Sequence, residues 1–73
     1  MRHYYEATEI LPEGSEIEAD FIRMDITDML APERAEVLQL MKDQFAGMTY
    51  TLISHNCYHD ENPKQKCTTE DLL

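Results

Sequence analysis

The chain has 73 residues, is 42% hydrophobic and carries a formal net charge of −9. This length predicts a single small domain over residues 1–73, and the apolar content excludes a fully disordered chain. Fifteen Asp and Glu residues against six Lys and Arg residues exclude nucleic-acid binding through a basic surface and disfavour an anionic membrane surface. A domain of this size hides only about 60% of its unfolded surface, so we expect added stability from a dimer interface, a metal or a disulfide.

The N-terminal stretch MRHYYEATEI lacks the apolar core of a signal peptide, and no apolar run approaches the length of a membrane span. We therefore expect a cytoplasmic protein, in which cysteines are more often reduced or metal-bound than joined in a structural disulfide. The acidic charge favours solubility. A basic protein partner, or mimicry of nucleic acid, is the more specific interpretation.

Residues 2–26 are predicted to form a β-hairpin. Residues 2–10 are rich in tyrosine, threonine and isoleucine without helical spacing, which is typical of a strand, and their glutamates indicate an edge strand. Pro12 and Gly14 suit a tight turn. The stretch SEIEADF (15–21) then alternates acidic and apolar residues, after which the apolar phase shifts by one residue, as at a bulge.

A helix is predicted over about residues 32–46. Pro32 suits the first helical position, where its missing N–H costs nothing. Glu33 and Lys42 lie near the helix ends whose partial charges they complement, and Gly47 suits a left-handed cap. Three apolar residues at helical spacing form the central stripe of this amphipathic helix, namely Leu38, Met41 and Phe45.

The rest of the chain returns to strand. Residues 48–59 favour a strand, 60–64 a loop, 65–69 a short return strand and 70–73 a frayed helical turn. The predicted fold is therefore α+β, a small β-β-α-β(-β) domain with a mainly antiparallel sheet and the helix packed on one face. The expected core contains the apolar residues Ile17, Ala19, Phe21, Leu38, Met41, Phe45, Tyr50 and Leu52. Leu40, beside the stripe, is a candidate contact with a second subunit.

The stretch SHNCYHDENPKQKC (54–67) holds two of the three histidines and both cysteines of the chain. Alternation along a strand places His55, Cys57 and His59 on one face. A hairpin centred near residue 62 brings Cys67 opposite Cys57. Two cysteines and two histidines are a common structural zinc set.

The predicted metal ligands are Cys57, His59 and Cys67, with His55 or His3 as the fourth. The spacing H-x-C-x-H-x7-C matches neither a standard zinc finger nor a zinc ribbon. A Cys57–Cys67 disulfide is an alternative and would contribute roughly 2–3 kcal/mol by the chain-entropy model. A further alternative is a buried, unreactive Cys57 with ordinary surface histidines.

Three functions are consistent with these patterns. The first, which we favour from sequence, is a non-enzymatic protein-interaction or adaptor domain that forms a homodimer and binds a basic protein. The second is a small metal-binding protein that holds zinc or another soft metal through His55, Cys57, His59 and Cys67. The third is a thiol redox module centred on Cys57. The chain has no glycine-rich phosphate loop and is too short for a closed pocket, so an enzyme is not expected.

Overall fold

The computed structural model describes residues 2–57 and 67–73. In these ranges the chain forms four strands and one helix: β1 (Arg2–Glu9), β2 (Phe21–Asp25), α1 (Ala31–Gln44), β3 (Tyr50–Cys57) and β4 (Thr68–Asp71). The strands form an antiparallel sheet in the order β2-β1-β3-β4. The predicted α+β class is confirmed, and the fourth strand is formed. Residues 70 and 71 belong to β4, so the prediction of a helical turn there was wrong.

Strand β1 is central, although its glutamates indicated an edge. It pairs with β2 through Tyr4–Thr8 and with β3 along its whole length. Glu6 does not prevent this because its carboxylate contacts two cationic or ionisable side chains of the neighbouring strands, Arg23 and His55. An acidic residue can occupy a central strand when the flanking strands supply partners for its charge.

The alternating stretch 15–21 does not form the predicted strand. Three predicted core residues of this stretch are exposed, namely Ile17, Ala19 and Phe21. The pairing of β1 with β2 reaches its end where the Glu9 N–H donates to the Asp20 carbonyl at 2.9 Å. The residues of this stretch that precede Asp20 therefore lie beyond the end of β1. Their alternation of acidic and apolar side chains has no paired strand beside it.

The set of apolar residues that follows Phe21 contributes side chains to the core. Ile22 lies opposite Ala7 of β1, and Ile26, just after β2, is fully buried. The Ile26 N–H also donates to the His3 carbonyl at 2.8 Å, so the chain remains attached to β1 beyond the last strand pair. The alternation of apolar residues thus shifts by one position, as predicted, but the strand begins at this shift rather than before it.

The core joins residues of the sheet to residues at the C-terminal end of α1. Its fully buried hydrophobic residues are Ala7, Ile26, Met41, Phe45 and Leu52. Leu38 and Tyr50, both predicted, are partly buried against the cluster, and the Phe45 and Tyr50 ring centroids are 5.3 Å apart. Ala7 and Ile26 were not predicted, because their burial depends on the pairing of β1.

Helix α1 begins one residue before the predicted start and ends two residues before the predicted end. Pro32 lies in its first turn, as predicted, and Gly47 adopts a φ of +84° just beyond it. Met41 and Phe45 contact the core residues of the sheet. Coverage of a whole sheet face by the helix stays a prediction. Among the described residues, no helix is both long and apolar enough to cross a membrane.

His3 connects β1 to β3 and to the helix. Arg34 Nη1 donates to His3 Nδ1 at 3.2 Å, and His3 Nε2 donates to the Ser54 hydroxyl at 2.8 Å. Arg34 is itself fixed by its Nε–H bond to the Met29 carbonyl at 3.0 Å. This arrangement requires a neutral imidazole, since Nδ1 must accept from a guanidinium that can only donate.

We expect His3 to make stability depend on pH. Burial, and secondarily the charge of Arg34, lower the pKa of His3 below its ordinary value of 6.5. The unfolded chain therefore binds the proton more readily, so stability is complete above pH 6.5 and falls as the pH drops toward the folded pKa. Urea denaturation at about pH 7.5 and 5.5 should show a larger loss for the wild type than for His3→Gln. Equal losses in the two proteins would contradict this assignment.

Candidate functional site

The pairing of β1 with β3 brings chemically active side chains onto one side of the sheet. Directly opposed residues in an antiparallel pair share a face. His55 lies opposite Tyr4, and Cys57 lies opposite Arg2, so these residues share the face that also carries Glu6. We call this the site face. The other face carries Ala7 and Leu52 of the core.

Cys57 and Cys67 are joined in a disulfide across the β3–β4 pair. The last registered pair is Asn56 with Thr68, and one further step brings the two cysteines together, with their Cα atoms 4.3 Å apart. The predicted juxtaposition of Cys57 and Cys67 is therefore present. The structure contains the disulfide that the sequence analysis left as an alternative.

His55 stands beside the two sulfurs. A ring nitrogen of His55 and both Sγ atoms all lie within 4.8 Å of one another. His55 Nδ1 is also 2.9 Å from Glu6 Oε1. A carboxylate can only accept a hydrogen bond, so Nδ1 carries a proton in this contact.

Glu6 is held in place before any ligand arrives. Its side chain is only 11% exposed, and its Oε1 is 3.0 Å from Arg23 Nε. The Arg23 guanidinium lies 5.3 Å from the centroid of the Tyr4 ring, within the range of a cation–π contact. The Tyr4 and His55 ring centroids are 6.2 Å apart. The Glu6 carboxylate, the Arg23 guanidinium and the Tyr4 ring together fix the orientation of the imidazole.

The structure brings together three of the four predicted metal ligands. They are His55, Cys57 and Cys67. His59 lies outside the described residues, so its part in the cluster stays a prediction. His3, the alternative fourth ligand, lies on the core side opposite Asn56, which excludes it from this cluster.

Sequence reasoning missed Glu6 and Arg23. Neither belongs to a recognisable motif, and Glu6 counted against a central strand rather than for a site. Its carboxylate meets His55 because β1 pairs with both β2 and β3, in a register that places Glu6 opposite Arg23 and Ile53. Two-residue periodicity shows which residues share a face within one strand, but not which residues neighbouring strands place beside them.

Comparison of the chain with known proteins yields no matching family model, no matching curated protein and no matching solved structure.

Proposed function

We propose that this protein is a thiol–disulfide redox module whose reactive group is the Cys57–Cys67 bond. The observation that carries the proposal is the His55 ring nitrogen within 4.8 Å of both sulfurs. A disulfide that only stabilises a fold has no need of a titratable neighbour oriented by a buried carboxylate. We therefore favour a redox module over the interaction domain that the sequence indicated.

The chemistry is thiol–disulfide exchange. An incoming thiolate attacks one sulfur of the bond, and the other sulfur leaves as a thiolate, giving a mixed disulfide. A second thiolate then resolves that intermediate, so two external thiols are oxidised while Cys57 and Cys67 gain two electrons and two protons. The His55 ring stabilises the leaving thiolate and supplies a proton, while Glu6 keeps the ring oriented.

The proposal includes a cytoplasmic location. In that compartment glutathione and thioredoxin keep most thiols reduced, and disulfides there are usually transient, catalytic or redox-sensing. A disulfide with an imidazole beside it suits such a reversible role better than permanent crosslinking. The partner in this scheme is a thiol compound or a protein thiol.

The rate of disulfide reduction tests the role of His55. We expect His55→Ala to slow reduction by dithiothreitol about 10-fold or more, because general acid–base catalysis by a positioned side chain contributes at least this much. Alkylation of new thiols at timed intervals, followed by mass spectrometry, measures the rate.

His3→Gln is the matched control, since it changes the other described histidine on the opposite side of the sheet. Its reduction rate should equal that of the wild type. Glu6→Gln should fall between the two, because it preserves the size of the side chain but weakens its hold on His55. If His55→Ala and the wild type are reduced at the same rate, the disulfide is structural and the proposal fails.

A protein-interaction domain remains the second candidate. It is favoured by large apolar side chains in solvent, among them Leu40, which is 66% exposed on the helix. With a net charge of −9, a heterologous partner would be basic, and a second copy of the chain would have to meet through such apolar residues. Sedimentation equilibrium over a range of protein concentrations measures whether a homodimer forms.

A further inference from the structure

We propose that the reduced form of the site binds one soft divalent metal ion of the zinc type through Cys57, Cys67 and His55. The inference rests on the proposed function, because the disulfide must open before its sulfurs can act as thiolate ligands. The metal ion would be a ligand that the reduced protein binds and the oxidised protein does not. Oxidation of the two cysteines would then release that ligand.

The donor atoms are already close to the separations that such an ion needs. In a tetrahedral zinc site the Zn–S and Zn–N distances are about 2.3 Å and 2.0 Å, which places neighbouring donors roughly 3.5–4 Å apart. The three donors here all lie within 4.8 Å of one another. Opening the S–S bond frees the two sulfurs to move apart toward these separations.

The second argument is the contact behind His55. Metal-binding histidines commonly donate their other ring N–H to a carboxylate, which sets the tautomer and makes the metal-binding nitrogen more basic. Glu6 has this relation to His55, with 2.9 Å between Oε1 and Nδ1. Since Arg23 holds the same oxygen of Glu6 at 3.0 Å, the carboxylate is oriented before a metal binds. A chance cluster at a surface would not require this buried support.

The chemistry of the donor set selects the class of ion. Two thiolates and one neutral imidazole favour zinc and other borderline or soft ions over magnesium or calcium, which prefer oxygen ligands. Two thiolates also neutralise the charge of a divalent ion. The described part of the chain supplies three ligands, and the fourth tetrahedral position is left for water or for the predicted ligand His59.

Reduction of the disulfide and binding of the metal ion are two separate reactions, each balanced in atoms and electrons. Two external thiols reduce the Cys57–Cys67 bond, forming their own disulfide and leaving two protein thiols. The metal ion then displaces two protons from these thiols and binds the resulting thiolates. Oxidation of the thiolates by an external disulfide reforms the Cys57–Cys67 bond and releases the ion.

Cobalt titration tests the inference on the full chain. The protein is reduced with a phosphine, desalted without oxygen and titrated with Co²⁺, whose bonds to thiolates give intense near-ultraviolet absorption. We expect reduced wild type to bind one Co²⁺ per chain with this absorption and to exchange it for Zn²⁺. Oxidised wild type and Cys57→Ser/Cys67→Ser should show no such absorption, which separates the site from weak binding by surface carboxylates.

Single variants locate the third ligand and its support. His55→Ala should weaken Co²⁺ binding about 100-fold, and Glu6→Gln about 10-fold, the lower end of the range for loss of an outer-shell partner. His3→Gln should bind as the wild type does. Circular dichroism checks the fold of each reduced protein, and Zn²⁺ should restore any structure that reduction removes.

The outcomes separate this inference from the proposed function. Reversible reduction assisted by His55, with Co²⁺ binding no tighter than in Cys57→Ser/Cys67→Ser, overturns the metal site and leaves the redox module. Tight thiolate binding of Co²⁺ with reduction rates indifferent to His55 retains the metal site and removes the redox role. Reduced protein that unfolds and is not refolded by Zn²⁺ also overturns the metal site.

Discussion

Replacing Phe45 with alanine is expected to lower the free energy of unfolding by about 3–5 kcal/mol. Phe45 is 1% exposed and packs with Met41 and Leu52 in the core cluster. Truncation loses the transfer free energy of the ring and leaves a cavity beside Tyr50, whose ring centroid is 5.3 Å away. Native domains have only about 5–15 kcal/mol of stability. The variant should therefore unfold well below the midpoint temperature of the wild type.

Phe21→Ala is the matched control, since Phe21 and Phe45 are the two phenylalanines of the chain. Phe21 is 53% exposed, and its ring contacts the Arg23 guanidinium at 5.8 Å rather than the core. Its replacement should change the free energy of unfolding by about 1 kcal/mol or less. Urea denaturation of the three proteins measures both effects. Equal losses in the two variants would reinstate the prediction that Phe21 belongs to the core.

Opening the Cys57–Cys67 disulfide is expected to lower the free energy of unfolding by about 2.5–3 kcal/mol. The bond closes a short loop, with a sequence separation of 10 residues, and its loss returns that chain entropy to the unfolded state. For a domain of this size the midpoint temperature should fall by about 10–20 °C. Thermal unfolding with and without a phosphine reductant, in the presence of a chelator, measures the difference.

The double variant Cys57→Ser/Cys67→Ser serves as the control for that measurement. It should unfold near the temperature of reduced wild type and should not respond to the reductant. An identical midpoint for oxidised and reduced wild type would show that the bond does not constrain the unfolded chain. Omitting the chelator and adding Zn²⁺ should raise the midpoint of reduced wild type alone, because a ligand that binds the folded state stabilises it.

Local patterns were sufficient for the helix and for the class of fold. Pro32, the apolar stripe and Gly47 together indicate a helix start, a buried side and a helix end, and none of these depends on distant residues. Strand β3 was likewise predicted from its composition. The strand predicted over 15–21 failed because alternation shows that a segment can pair, whereas pairing requires a partner, and β1 ends at Glu9.

The candidate site also combines contacts that local patterns predicted with a contact that they did not. Periodicity along β3 placed His55 and Cys57 on one face, and a hairpin return placed Cys67 across from Cys57, as the structure has them. The pairing of Glu6 with His55 joins residues 49 positions apart in the chain. That contact depends on the position and register of β1, which no local pattern encodes.

The sequence by itself determined the helix, the strands β1 and β3 and the closeness of the two cysteines, because these follow from interactions between residues near one another in the chain. The tertiary structure alone decided that β1 is central, that Ile26 rather than Ile17 is buried, and that His3 and His55 lie on opposite faces of the sheet. The physical reason is that alternation along a strand shows only which of its residues share a face. The register between strands decides which residues of the neighbouring strands lie beside them. A shift of one residue would have turned Glu6 away from His55 and left the disulfide without its buried carboxylate–imidazole pair.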